Sequence, residues 1–284
     1  MLVQGAISSA RTRRAAHLQH RSRCQRRSAS RNLSQNHLPC KFTTLRHDRK
    51  TRLRISASLT IAEQLLPRWL VSMQLTGKQF GRDTAEVTLD ATNSDHVVEQ
   101  VRTGDADLGF IEGPQAPRGL RSRLIGSDHL VLVTRPDHPW ARRTRPITAQ
   151  ELADTPLVTR EEGSGTREAL TQALHHTLGP ESVQTHPGMA LSTTSAVRAA
   201  VLAGAGPAVL SGLAVADDLS TGRLLAIDVV GMDLTRNLRA VWIGSRIPPA
   251  GAVRDLLSHI AAITTAEAAA TLTGPSTAAR NVKT

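Results

Sequence analysis

The chain has 284 residues, 40% of them hydrophobic, and a formal charge of +11, so it is long enough to build one large or two modest cores without staples. Of its 35 basic and 24 acidic residues, 12 and 1 fall within positions 1–50, leaving 23 of each sign for 51–284; the body is neutral and lacks the charge signature of a nucleic-acid binder. Both cysteines, Cys24 and Cys40, lie in the basic head, which excludes disulfides and thiolate metal ligands from the body and suits a reducing cytoplasm.

Residues 1–52 are rich in Arg, Ser, His and Gln, and their apolar residues follow neither a helical nor a strand period, so this head is expected to be disordered. Three readings of it stand open. It is a flexible arm that grips phosphates, an organellar transit peptide, or text that is not genuine coding sequence. No stretch approaches 18 consecutive apolar residues and no apolar run follows the N-terminal charges, which argues against a membrane span and a secretory signal.

From Leu53 onward short β-like runs alternate with amphipathic stretches, the pattern of an α/β chain with mostly parallel strands. A strand is expected at 53–56 and a helix at 61–73, with Leu65, Leu66, Trp69 and Leu70 on one stripe. A strand at 86–91, a helix at 95–103 and a strand at 107–111 complete a βαβαβ half. Positions 124–134 hold two extended runs split at 126–128, and the sequence Arg135-Pro136-Asp137-His138-Pro139 then turns the chain into a second half. There the expected order is strand 157–159, helix 166–177, strand 183–185, helix 194–203, strand 208–210 and helix 213–219. Strands at 224–229 and 238–243 and a helix at 252–263 follow. The last twenty residues, rich in Ala and Thr, read as a frayed tail.

One local arrangement recurs: a strand, a short loop of hydroxyl or amide residues, then a helix. Ser58 and Thr60 precede the first helix, Asn93 and Ser94 the second, Gly163, Ser164, Gly165 and Thr166 the third, and Thr193 the fourth. Taken singly, each loop is an N-cap that satisfies its own helix. In an open α/β sheet, however, such helix starts face one crevice at the carboxyl ends of the strands, where free N–H groups attract anions. Gly163 and Gly165 would let backbone approach a ligand there, with Ser164, Thr166 and Arg167 as added donors. The loop lacks the Lys of a P-loop and the GxGxxG spacing. No GxSxG, HExxH or paired CxxC occurs, and His175 and His176 point to different sides of a helix, so neither catalysis nor a metal or other cofactor is expected. Glu112, just after the third strand, is placed to line the cleft.

The ordered motifs resemble the effector-binding domain of LysR-type bacterial transcriptional regulators. Its opening is matched by Ile55-Ser56-Ala57-Ser58-Leu59-Thr60 leading to Leu66-Pro67, and a later stretch by Val101-Arg102-Thr103-Gly104-Asp105-Ala106-Asp107-Leu108-Gly109-Phe110-Ile111. The run Val197-Arg198-Ala199-Ala200-Val201-Leu202-Ala203-Gly204-Ala205-Gly206-Pro207 and the closing Gly222-Arg223-Leu224 follow in the family's order. The resemblance implies two Rossmann-like lobes of the periplasmic-binding-protein type II kind with a ligand cleft between them. Lobe I would take about 53–133 and 234–263, lobe II about 134–233, with a disordered tail at 264–284. It also implies a small anionic effector held by Ser58, Thr60, Asn93, Ser94 and the 163–167 loop, a homodimer or homotetramer joined through lobe I, and promoter DNA as a partner. Residues 1–52 show neither the apolar core nor the recognition helix of the family's winged helix-turn-helix. A free-standing solute-binding protein of the same fold is the alternative, and an enzyme on that fold a third.

Overall fold

The computed structural model describes residues 52–80, 85–113 and 115–273, the last seven as backbone alone; the head, with every expectation placed on it, and positions 274–284 lie outside them. Strand β1 (Arg52–Ser58) runs straight into a π-helical turn, Ile61–Leu65, which continues as α1 (Leu66–Gln79). The wide turn has a local cause. Pro67 has no N–H and its ring crowds the carbonyl four residues back, so the helix dilates just before it, and the Leu66 N–H reaches back to the Ile61 carbonyl. Thr60 is therefore not the N-cap its position suggested: it is already in right-handed helical geometry and its side chain makes no capping bond.

Then come β2 (Glu86–Thr92), α2 (Ser94–Thr103) and β3 (Leu108–Glu112), completing the first βαβαβ half with β1 parallel to both β2 and β3. Helix α2 lies close on this sheet because position 109 is glycine; a Cβ there would come within 2.7–2.9 Å of Val241, Val101 and Val97 side chains. Strand β4 (Arg121–Thr134) is one strand of 14 residues, not the two runs expected. A register irregularity opposite Leu238 and Arg239 absorbs the break signalled by Gly126.

The second half contains β5 (Ile147–Thr148), α3 (Ala149–Ala153), β6 (Val158–Arg160), α4 (Gly165–Leu178), β7 (Met189–Leu191), α5 (Thr194–Leu202), β8 (Ala208–Ser211) and α6 (Gly212–Ser220). It closes with β9 (Leu225–Ile227), β10 (Val229–Val230) and β11 (Thr235–Trp242), before the last helix α7 (Ala252–Thr273). The expected strand at 183–185 forms instead at 189–191. There it pairs in parallel with β6, while Val183 stays exposed. Helix α7 runs ten residues beyond the expected end, into the stretch read as tail; alanine, the best helix former, fills much of it.

The main sheet is mixed, with order β2-β1-β3-β11-β4-β8 and β9 also on β4. One chain crossing between the halves is visible in it, along β4. The first part of β4 pairs with β11, and its last residues, Leu130 to Thr134, pair with β8 and β9. Leu53, Ile55, Phe110, Trp242 and Leu256 belong to one buried cluster of the first half, and Leu132, Ile147, Leu157 and Leu170 to one of the second. The two cores are joined by the strand β4, so they form two lobes on a shared spine.

Candidate functional site

The carboxyl ends of β1 and β3, the start of α4, the middle of β4 and the second residue of β11 meet at one point between the lobes. Arg236 fills it. Its guanidinium donates to Asp128 Oδ2 through Nε at 2.9 Å and Nη2 at 2.6 Å, to Thr60 Oγ1 at 3.2 Å and to Thr166 Oγ1 at 2.8 Å, and it also bonds Glu112 Oε2. Glu112 Oε1 accepts from the Ser58 hydroxyl at 2.9 Å and the Thr60 N–H at 3.1 Å, while the Thr166 hydroxyl approaches Oε2 at 3.4 Å. Asp128 is held in addition by the Ser211 hydroxyl at 3.1 Å. The side chains of Arg236, Glu112 and Asp128 are no more than 3% exposed. Two carboxylates and one guanidinium thus share a dry site, which holds together only because every oxygen and N–H finds a partner.

The lobes touch beside this network. The Asp95 N–H, at the start of α2, donates to the Gly163 carbonyl at 3.3 Å. A Cβ on Gly165 would overlap the Glu112 carbonyl oxygen and come within 2.8 Å of Glu112 Cβ and Ser94 Oγ. A Cβ on Gly163, which has φ +79°, would meet the Asp95 carboxylate at 2.9 Å. The two glycines therefore let one lobe's backbone approach the other lobe closely. A cavity of about 600 Å³ adjoins this seam, walled by α2, the end of β3, residues 115–118 and α4, with Asp95, Glu99 and Glu168 on its walls against Arg102 and Arg118.

Five of the residues singled out from the sequence converge here: Ser58, Thr60 and Thr166 on the Glu112 carboxylate, Ser94 and Gly165 on its backbone. Ser94 Oγ donates to the Glu112 carbonyl at 3.1 Å and accepts from the Glu112 N–H at 3.3 Å. Ser164 is buried at the N-cap of α4 without a side-chain capping bond. The remaining side chains are engaged elsewhere. Asn93 caps α2 through the His96 N–H at 3.0 Å, Thr193 caps α5 through the Ala196 N–H at 3.0 Å, and Arg167 lies 3.5 Å from the exposed Glu162.

Asp128 and Arg236 were not anticipated, although a signal exists. Arg236 alternates in phase with buried Leu238, Ala240 and Trp242, and Asp128 with buried Leu130 and Leu132; a charge on the core-facing phase of a strand needs a buried partner. Arg160 is a second case: it is buried in β6, bidentate with Glu161 at 2.8 Å and bonded to Thr194 Oγ1 at 3.0 Å. Glu63 lies on the π-helical turn. Burial raises its carboxyl above the ordinary glutamate range, opposed by the attraction of Arg160 and reinforced by repulsion from Glu112.

Residues 46–263 match the LysR substrate binding domain family. An uncharacterized HTH-type transcriptional regulator of Mycobacterium tuberculosis is 56% identical over 217 residues, 76% of this chain and 70% of the relative. Among solved structures, the regulatory domain of Synechocystis CcmR, in complex with 2-PG, superposes with a TM-score of 0.63 at 23% identity, over 75% of this chain and 97% of that one. The effector-binding domain of QuiR, in complex with shikimate, gives 0.63 at 12% identity, over 76% and 97%. At these identities the two structures establish the fold alone. Among the described residues no helix is long and apolar enough to cross a membrane.

Proposed function

Since this chain belongs to the LysR substrate-binding domain family, a family of transcriptional regulators rather than enzymes, we propose that it senses a small polar anion between its lobes and transmits the change to a promoter-bound oligomer in the cytoplasm. Lobe I is taken as 53–133 and 234–263 and lobe II as 134–233, with the last residues of β4, from Leu130, pairing with β8 and β9 of lobe II. The observation that carries this reading is the convergence of donors from β1, α4 and β11 on a single buried carboxylate at the interlobe seam. Donors placed that way recognise an anion, and because they come from both lobes, a ligand bound there has different affinity for different lobe arrangements. The adjoining cavity is of a size to hold the body of a small metabolite. Its acidic walls favour hydroxyl or amino substituents on that body.

A thermal-shift screen of metabolic carboxylates, sulfate and phosphate should find a stabiliser, worth about 2.7 kcal/mol at about 100-fold excess over its Kd. The effect should vanish in the Ser164→Ala, Thr166→Ala double variant. Equal stabilisation of that variant refutes the site.

The second partner we propose is another copy of the chain. Val71 and Leu75, one turn apart on α1, are 55% and 59% exposed and line a shallow groove with Pro67, Arg68 and Ser72. Large apolar side chains in such a row are covered in an oligomer. Sedimentation equilibrium should give a dimer or tetramer for the wild type and a smaller species for Val71→Asp with Leu75→Asp; an unchanged mass would exclude this face.

A further inference from the structure

The Glu112 carboxylate is held as a bound anion is held. Ser58 Oγ and the Thr60 N–H donate to one oxygen, Arg236 and Thr166 Oγ1 to the other. These donors stand on β1, the turn after it, β11 and α4, whereas Glu112 is the last residue of β3. Balancing Arg236 does not require it. Asp128 already accepts two bonds from that guanidinium, so the second buried carboxylate leaves the site with an excess negative charge, a costly arrangement for a merely structural counter-ion.

From this geometry we infer that Glu112 is a resident competitor: its side chain occupies the seat of the effector's own carboxylate, and the effector binds by expelling it into the adjoining cavity, which Glu112 also lines. The inference rests on the sensing function proposed above and names the ligand class. Two donors per oxygen fit a planar carboxylate, whereas the third and fourth oxygens of sulfate or phosphate would have no donor in this cradle. Displacing Glu112 lowers the apparent affinity by the fraction of time the seat is vacant, so recognition must come from a ligand whose body also contacts the cavity walls. Binding is then an exchange of one carboxylate for another, with no net change in buried charge.

Chemical rescue of the whole chain tests this. Glu112→Ala deletes Cγ, Cδ and both carboxylate oxygens, which together are the heavy-atom skeleton of acetate. Acetate should therefore raise the melting temperature of Glu112→Ala by about 5 °C or more at about 100-fold excess over its Kd, with acetamide and chloride inactive and the bulkier butanoate weaker. The wild type, its seat filled, should not respond. A folded Glu112→Ala that acetate does not stabilise, or a wild type that responds equally, overturns the inference. If Glu112→Ala does not fold, Glu112→Gln keeps the shape and the acceptor facing Ser58 and Thr60 without the charge. Acetate should then stabilise Glu112→Gln at concentrations at which the wild type does not respond, and equal responses overturn the inference. Rescue by acetate alongside a failed metabolite screen would retain the carboxylate seat and remove the sensing function; a successful screen without rescue would do the reverse.

Discussion

Replacing Arg236 with alanine should destabilise the folded chain by about 3–5 kcal/mol, because it strands two carboxylates in a dry site. Glu112 and Asp128 have side chains 3% and 2% exposed, and the described residues provide no other cation within ion-pair distance of either. Thr60 Oγ1 and Thr166 Oγ1 lose a donor as well. A loss of this size is a large fraction of the roughly 5–15 kcal/mol available to a domain. Urea unfolding followed by circular dichroism should show a lower midpoint at unchanged slope. Arg54→Ala is the control. Arg54 also pairs with an aspartate, Asp107 at 2.7 Å, but it is half exposed, and a pair of that kind contributes on the order of 1 kcal/mol or less. Adding Glu112→Gln and Asp128→Asn to an Arg236→Met background should recover much of the loss, since neutral groups can be buried more cheaply than unpaired charges. If Arg236→Ala costs no more than Arg54→Ala, the network is hydrated and does not hold the seam.

Gly165→Ala should force the lobes apart at their contact. The atoms a Cβ would strike are the carbonyl oxygen and Cβ of Glu112, which no side-chain rotation can remove, together with Ser94 Oγ. Overpacking against backbone costs about 1–3 kcal/mol. The more specific consequence is local: amide exchange at Asp95, which donates to the Gly163 carbonyl, and at Thr60, which donates to Glu112, should quicken well beyond the global change. Gly188→Ala provides the comparison, since a Cβ there meets nothing closer than 3.6 Å and the residue does not need a left-handed backbone. Unchanged exchange at Asp95 and Thr60 in Gly165→Ala would show that the seam yields without opening.

The alternation of strand and helix was legible because each element writes its own period. Leu65, Leu66 and Trp69 recur at helical spacing, and Val97 with Val101 fixes the inward face of α2. Mistakes fell where partners chose between comparable local options. Runs near 183 and near 189 both suit a short strand, and β6 took the second. Gly126 signals a break, yet β11 pairs on both sides of it through a register shift and keeps β4 whole. The alanine-rich end of α7 reads as tail from its Thr content, but propensity carries the helix to Thr273.

The sequence by itself determined the neutral α/β body, the order of its motifs and the hydroxyl-bearing loops at the helix starts, since hydrophobic period, capping chemistry and turn residues all act within a few positions. Only the tertiary structure decided what those loops face. Ser58, Glu112, Asp128, Thr166 and Arg236 lie up to 178 positions apart and meet because β4 passes from one lobe to the other while β11 pairs with its first part. Local periodicity is blind to such a meeting; burial is not, because a charge withdrawn from water must find its partners wherever the chain brings them.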